Sequence, residues 1–199
     1  MLGQACLAYF PVDIWIFFII RCRISLTKLE KKIISGKKIA AIKSMEFIDP
    51  KKIFGLGTGS TVNLLINKIH ETFILNGQSI TAVSTSKETT HLATKLGINI
   101  IDLDKVDELD VVIDGADEVD PKNNLIKGGG GALLMEKIVA NYSKQFVVIV
   151  DTSKFVSKLG KFPLPIEVVQ FGSEKTKKSV ESSLIELGYD TPKVIFRRS

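Results

Sequence analysis

Short continuous apolar runs alternate along this 199-residue chain with stretches whose apolar positions recur at helical spacing. From Leu29 to Phe47, the positions Ile33, Ile34, Ile39, Ala40, Ile42 and Met45 follow a helical period, which Pro50 stops. Lys52–Leu56 then reads as a short buried strand. A second helix follows, N-capped by Ser60 or Thr61, with Val62, Leu64, Leu65, Ile66, Ile69 and Phe73 on its apolar face. Beyond it the pattern predicts a strand at Ile80–Val83, a hydroxyl cluster Ser84-Thr85-Ser86, a helix to about Leu96 ended by Gly97, and a strand at Ile98–Ile101. Strands at Asp110–Ile113 and Phe146–Val150 flank a helix from Leu133 to Tyr142. Strands alternating with helices over this length predict a Rossmann-like, mostly parallel sheet with helices on both faces. Ligands of such sheets bind beyond the carboxyl ends of the strands, and the glycine-rich, hydroxyl-rich and acidic clusters of this chain all fall there. After the Pro163-Leu164-Pro165 hinge, strands at Ile166–Phe171 and Lys193–Phe196 around a helix at Ser173–Leu187 give the start of a small α+β (ferredoxin-like) domain, expected to be truncated at Ser199.

Composition narrows the class. With 45% hydrophobic and 25% charged residues, 15 Gly, 6 Pro and 2 Cys, the chain falls outside the collagen-like, disulfide-framework and disordered classes. Both cysteines, Cys6 and Cys22, precede residue 27, so the body can hold no disulfide and no thiolate metal site. The two histidines, His70 and His91, have no metal spacing, and no metal is expected. The net charge of +5 is uneven: residues 27–100 carry eleven basic and five acidic side chains, and 101–150 five basic and ten acidic. The acidic middle would repel a phosphate backbone, and no nucleic-acid motif is present, so a small anionic ligand and a solvated surface account better for the basic residues.

Residues 1–34 are expected to form an extension, most of which precedes that pattern. Its apolar run, Ile14–Ile20, is too short to span a membrane, and Arg21 and Arg23 follow it where a signal peptide has its charge in front. An upstream start that adds residues foreign to the fold is the favoured reading, with a weak anchor or targeting segment as the alternative. A membrane partner is not expected, and the composition fits a cytoplasmic protein. The expected organisation is therefore extension 1–34, Rossmann-like catalytic domain 35–165 and partial α+β domain 166–199.

Three motifs carry chemistry. Gly55-Leu56-Gly57-Thr58-Gly59-Ser60-Thr61 joins a strand to a helix, and its amides and hydroxyls can form an anion nest. Ser60 stands where the dinucleotide fingerprint needs glycine, so a terminal monophosphate is the better ligand, and a plain tight turn the alternative. Asp114-Gly115-Ala116-Asp117-Glu118 places two carboxylates after a strand, able to bond sugar hydroxyls, hold a divalent ion or cap a turn. Lys127 followed by Gly128, Gly129, Gly130 and Gly131 leads into the helix bearing Glu136. A carboxylate with a cation beside it suits proton abstraction next to a carbonyl, although Glu136 taken alone would read as a solvated helix residue.

Together GLGTGST, STSK, DGADEVD, KGGGGALLMEK, VDTSK and LGKFPLPIEVV, in this order, resemble ribose-5-phosphate isomerase of the A type over roughly residues 35–190. The resemblance implies interconversion of ribose 5-phosphate and ribulose 5-phosphate through a cis-enediolate, without metal or organic cofactor, in a homodimer or homotetramer. It makes Glu136 the base, Asp114 and Asp117 the substrate-orienting carboxylates and Lys127 the electrophilic stabiliser. It assigns substrate binding to Lys37, Thr58, Gly59, Ser60, Thr61, Gly115, Ala116, Gly128, Gly129, Gly130 and Lys161. Three other readings compete: a non-catalytic sugar-phosphate-binding module, an acyl-CoA transferase with a glutamate nucleophile, and a truncated, inactive isomerase.

Overall fold

The computed structural model describes residues 36–197. The apolar run Ile14–Ile20 and the first part of the predicted helix at Leu29–Phe47 lie outside the described residues. The chain divides into two compact units that meet in sequence at Pro165 and Ile166.

In the first unit, α1 (Gly36–Ser44), β1 (Phe54–Leu56), α2 (Ser60–Thr72), β2 (Thr81–Ser84), α3 (Lys87–Lys95), β3 (Asn99–Ile100), β4 (Val112–Asp114), β5 (Glu118–Val119), β6 (Leu125–Ile126), α4 (Leu133–Asn141) and β7 (Phe146–Val148) follow in order. Five strands form a sheet in the order β3-β2-β1-β4-β7, with every pairing parallel. Alternate residues of each strand face opposite sides. Phe54, Leu56, Ala82, Ile113 and Val147 pack under α1, α2 and α3, where Val62, Leu65, Ile66 and Ile69 recur at helical spacing. Val83, Val112, Phe146 and Val148 pack on the other side against Val139 and Ala140 of α4. Helices on both faces explain why the strands read as continuous apolar runs.

From β1 the chain moves outward to β2 and β3, then returns to the opposite side of β1 as β4. The order therefore reverses between β1 and β4, and a crevice opens beyond their carboxyl ends.

Three local expectations change. Gly59, at φ 118°, precedes the first turn of α2, and no side chain caps that turn. Ser60 is the first helical residue, its hydroxyl accepting from Lys37 Nζ at 2.9 Å. A two-stranded antiparallel hairpin, β5–β6, was not foreseen; Asp120 holds its turn by accepting from the amides of Lys122 and Asn124 at 2.9 and 2.8 Å. In the second unit, α5 (Ser173–Glu186) forms as expected, but neither 166–171 nor 193–196 is a strand. Their apolar side chains satisfy a strand's composition, yet no described strand lies alongside to complete a ladder. No residue of α5 is buried, and Lys177 lies over the Phe196 ring at 5.7 Å.

Candidate functional site

At the β1–β4 reversal, backbone and side chains converge on one cleft of about 150 Å³, well below the 300–1,000 Å³ or so that drug-sized ligands occupy. Its scale fits a small metabolite.

The β1–α2 turn supplies one wall. Gly57 approaches Asp114 so closely that a Cβ there would sit 2.0 Å from Oδ1. That contact lets Thr58 donate its amide to Asp114 Oδ1 at 3.0 Å, while Gly115 donates to the same oxygen at 2.7 Å. Buried hydroxyls brace the turn from beneath: Thr89 Oγ1 donates to the Gly57 carbonyl at 2.9 Å, and Thr58 Oγ1 lies 2.8 Å from Thr85 Oγ1. Thr58, Gly59, Ser60, Thr61 and Val62 line the cleft at the start of α2, where the helix dipole favours an anion. Lys37 arrives from α1.

Opposite them stands a buried charge cluster. Lys127 Nζ is 2.9 Å from Asp114 Oδ2, 2.8 Å from Glu136 Oε2 and 2.6 Å from the Gly115 carbonyl. Asp114 and Glu136 are buried, and the Lys127 side chain is only 9% exposed. Burial works against the Lys127 ammonium, but the Asp114 and Glu136 carboxylates outweigh it and hold its pKa above the ordinary lysine value. Glu136 responds in the opposite sense. Burial, and then the Asp114 charge, raise its carboxyl from 4.5 to about 7 against the pull of Lys127. The cluster thus holds a lysine that stays charged beside a carboxylate that exchanges its proton near neutrality.

Asp117 is aimed from the next turn, its Oδ2 accepting the Gly129 amide at 2.7 Å. A Cβ on Gly129 would fall 2.4 Å from Oδ1 of that aspartate, so the close approach needs glycine. Beyond β7, Asp151 accepts the Ser153 amide at 2.8 Å and starts the turn that carries Lys154 to the cleft. Burial opposes the Asp151 charge, but the Ser153 bonds, Lys37 and Lys154 keep its pKa below the usual aspartate value.

Most residues expected from the sequence meet here. Lys37, Thr58, Gly59, Ser60, Thr61, Gly115, Ala116, Asp117, Lys127, Gly128, Gly130 and Glu136 line the cleft. Asp114 and Gly129 do not line it; each holds a neighbour that does. Lys161 is not at the cleft. The amides on either side of it, of Gly160 and Phe162, turn inward to Glu118, and Lys161 itself is exposed. Lys154 lines the cleft together with Lys37 and Lys127, and the sequence reading left it without a role, along with Val62, Ile149, Val150 and Asp151. Among the described residues, no three His, Cys, Asp or Glu side chains gather as metal ligands. Among them also, no helix is long and apolar enough to cross a membrane.

Known proteins share both sequence and fold. The pattern of the family described as ribose 5-phosphate isomerase A (phosphoriboisomerase A) matches residues 81–194, a span that includes Asp114, Asp117, Lys127 and Glu136. A ribose-5-phosphate isomerase A of Dinoroseobacter shibae is 47% identical over 162 residues, covering 81% of this chain and 62% of the relative. The crystal structure of ribose 5 phosphate isomerase A from Neisseria gonorrhoeae superposes with a TM-score of 0.69 at 45% identity, over 77% of this chain and 66% of that one. A D-ribose-5-phosphate isomerase in complex with phospho-erythronic acid gives a TM-score of 0.69 at 43% identity, over 74% of this chain and 66% of that one. The chain thus spans just under two thirds of the length of these relatives. With more than half of its length inside the family pattern and the parallel sheet superposing on solved members, the chain belongs to the ribose 5-phosphate isomerase A family.

Proposed function

We propose that this chain interconverts D-ribose 5-phosphate and D-ribulose 5-phosphate by proton transfer through a cis-enediolate. The observation that carries the reading is Glu136: a buried carboxylate, poised near neutrality, 2.8 Å from a lysine that stays charged. A base that removes a proton from carbon works best when its pKa lies near the working pH.

The open-chain sugar lies with its phosphate toward the start of α2, where the amides of residues 59–61, the nearby hydroxyls and the cations Lys37 and Lys154 favour an anion. Its carbonyl end lies toward Lys127 and Glu136. Glu136 takes the proton from C2 of the aldose, the C2–H electron pair forms the C1–C2 double bond, and the carbonyl π pair moves to O1. The Lys127 ammonium stabilises that oxyanion in a site shielded from water, where such a contact is worth most. The O2 proton passes to O1 as the C2 carbonyl forms, and Glu136 returns its proton to C1, giving the ketose with no net gain or loss of protons. Asp117 holds the sugar hydroxyls in register, and Asp114 fixes Lys127 and the Thr58 amide. A relative holds phospho-erythronic acid. A phosphorylated four-carbon sugar acid would offer this cleft a phosphate at one end and a planar, charged oxygen pair like that of the enediolate at the other.

The test is Glu136→Gln in the full chain, followed by ketose formation from ribose 5-phosphate. Turnover should fall below detection while ribose 5-phosphate still protects the protein against thermal unfolding. Wild-type turnover in the variant refutes the base assignment. Protection by ligand without isomerisation in the unsubstituted chain refutes the enzyme reading and favours a binding module.

A further inference from the structure

Glu118 is a buried carboxylate that the proton transfer does not use. It is 3% exposed and stands on β5, one residue beyond Asp117. Its two oxygens accept amide protons from a distant segment, Oε2 from Gly160 at 2.7 Å and Oε1 from Phe162. That segment is already drawn along the hairpin before it arrives. Phe155 bridges Val119 in parallel, and the Val156 amide donates to the Val119 carbonyl at 3.0 Å. Past Phe162, Pro165 closes on the glycine run, where a Cβ on Gly128 would lie 3.0 Å from the proline Cβ. Gly128 lines the cleft, and the next amide, of Gly129, is the one that holds Asp117. Residues 155–165 therefore tie β5 to the glycine run, which in turn holds the residue preceding Glu118.

A carboxylate withdrawn from water is destabilising unless its oxygens find donors. Here each oxygen takes one backbone N–H, so both amides, and the stretch between them, are fixed in place. A glutamine could offer only one acceptor oxygen and would turn an NH₂ group toward the other amide. We infer that Glu118 is a positioning residue: it latches residues 160–165 against Gly128 and Gly129, so that the Gly129 amide keeps Asp117 aimed at the bound sugar phosphate. The consequence for Asp117 rests on the isomerase reading proposed above; the latch is a statement about the 160–165 segment alone.

Two variants of the full chain test it, Glu118→Gln and Pro165→Ala, the second leaving every charge in place. Trypsin should cut after Lys161 about tenfold faster in Glu118→Gln than in the unsubstituted chain, with cleavage at the exposed Lys175 and Lys178 unchanged, because only a released segment presents its backbone to a protease. In isomerisation both variants should raise KM about tenfold with kcat within about threefold of wild type, the signature of a misplaced substrate contact. The acid limb of the pH profile, set by Glu136, should not move. A lower kcat at unchanged KM would mean only that less protein is folded, and it overturns the inference, as does unchanged cleavage after Lys161. If the unsubstituted chain does not isomerise, the tryptic pattern still decides the latch separately from the enzyme reading. If Glu118→Gln does not fold, an unchanged KM in Pro165→Ala overturns the inference by itself.

Discussion

Replacing Glu136 by glutamine should stabilise the protein above neutral pH while abolishing its turnover. The carboxyl titrates near 4.5 in an unfolded chain and at about 7 in the folded one, where it is 6% exposed. The folded state therefore binds this proton more tightly than the unfolded state does. The stabilisation that follows is fully present below pH 4.5 and is lost as the pH rises through 7. Above that point the native protein carries an ionised carboxylate at a cost of about 3 kcal/mol, the free-energy equivalent of the pKa difference. Glutamine keeps the shape of the protonated acid and never pays that cost. In urea unfolding at pH 8.5 the variant should be more stable than wild type by about 3 kcal/mol, and at pH 5 by less than about 1 kcal/mol. The corresponding gain in melting temperature at pH 8.5 is about 6–12 °C for a chain of this size. Equal stabilities across pH 5 to 8.5, or a wild type more stable than the variant at pH 8.5, would refute the argument that burial and the Asp114 charge raise this group.

Two further outcomes follow from the same cleft. Because the base must be ionised to accept a proton, kcat/KM should fall about tenfold per pH unit below a limb near pH 7, and a profile flat down to pH 5.5 would exclude Glu136 as the base. Gly57→Ala would drive a methyl group to 2.0 Å from Asp114 Oδ1, displacing the carboxylate from Thr58, Gly115 and Lys127. That overpacking should cost about 1–3 kcal/mol in urea unfolding and most of the isomerase rate, and a variant with both unchanged would show that the carboxylate is not held as described.

The sheet was legible because its strands are buried on both sides and its helices carry regular apolar stripes: Val62, Leu65, Ile66 and Ile69 could be placed on one face by counting alone. The β5–β6 hairpin was missed because two-residue strands have no periodicity to detect, although Asp120-Pro121-Lys122-Asn123-Asn124 carries turn-forming residues and Asn123 adopts a left-handed φ of 64°. Residues 166–171 and 193–196 misled in the opposite direction, since β-branched and aromatic composition describes a side chain's preference and says nothing of a neighbouring strand. Within the site, the motifs directly after β1 and β4 were readable because chemistry in such folds gathers at strand ends. Asp151 and Lys154 lie in VDTSK, a motif that supports the resemblance but whose polar residues form a short local turn, with nothing in it to show that Lys154 reaches the cleft. Glu118 could not be read at all, because its partners are 42 and 44 residues away. Local sequence carried the residue types, and long-range contacts decided which of them meet.

The reversal of strand order around β1 also bears on how the protein reaches its native state. The central strand is held on one side by β2 and on the other by β4, whose partner for Gly55 is Val112. Parallel pairings between such distant segments close large loops before they return any stabilising contact, which raises contact order and slows folding. Helices α2 and α3 can form early, but the Thr58 amide and the Asp114 carboxylate share no hydrogen bond until the β1–β4 register is set. Recovery of turnover during refolding should therefore trail recovery of helical structure. Chains caught between the two stages expose the bare edges of β1 and β4, and it is at that stage that they are most prone to aggregate.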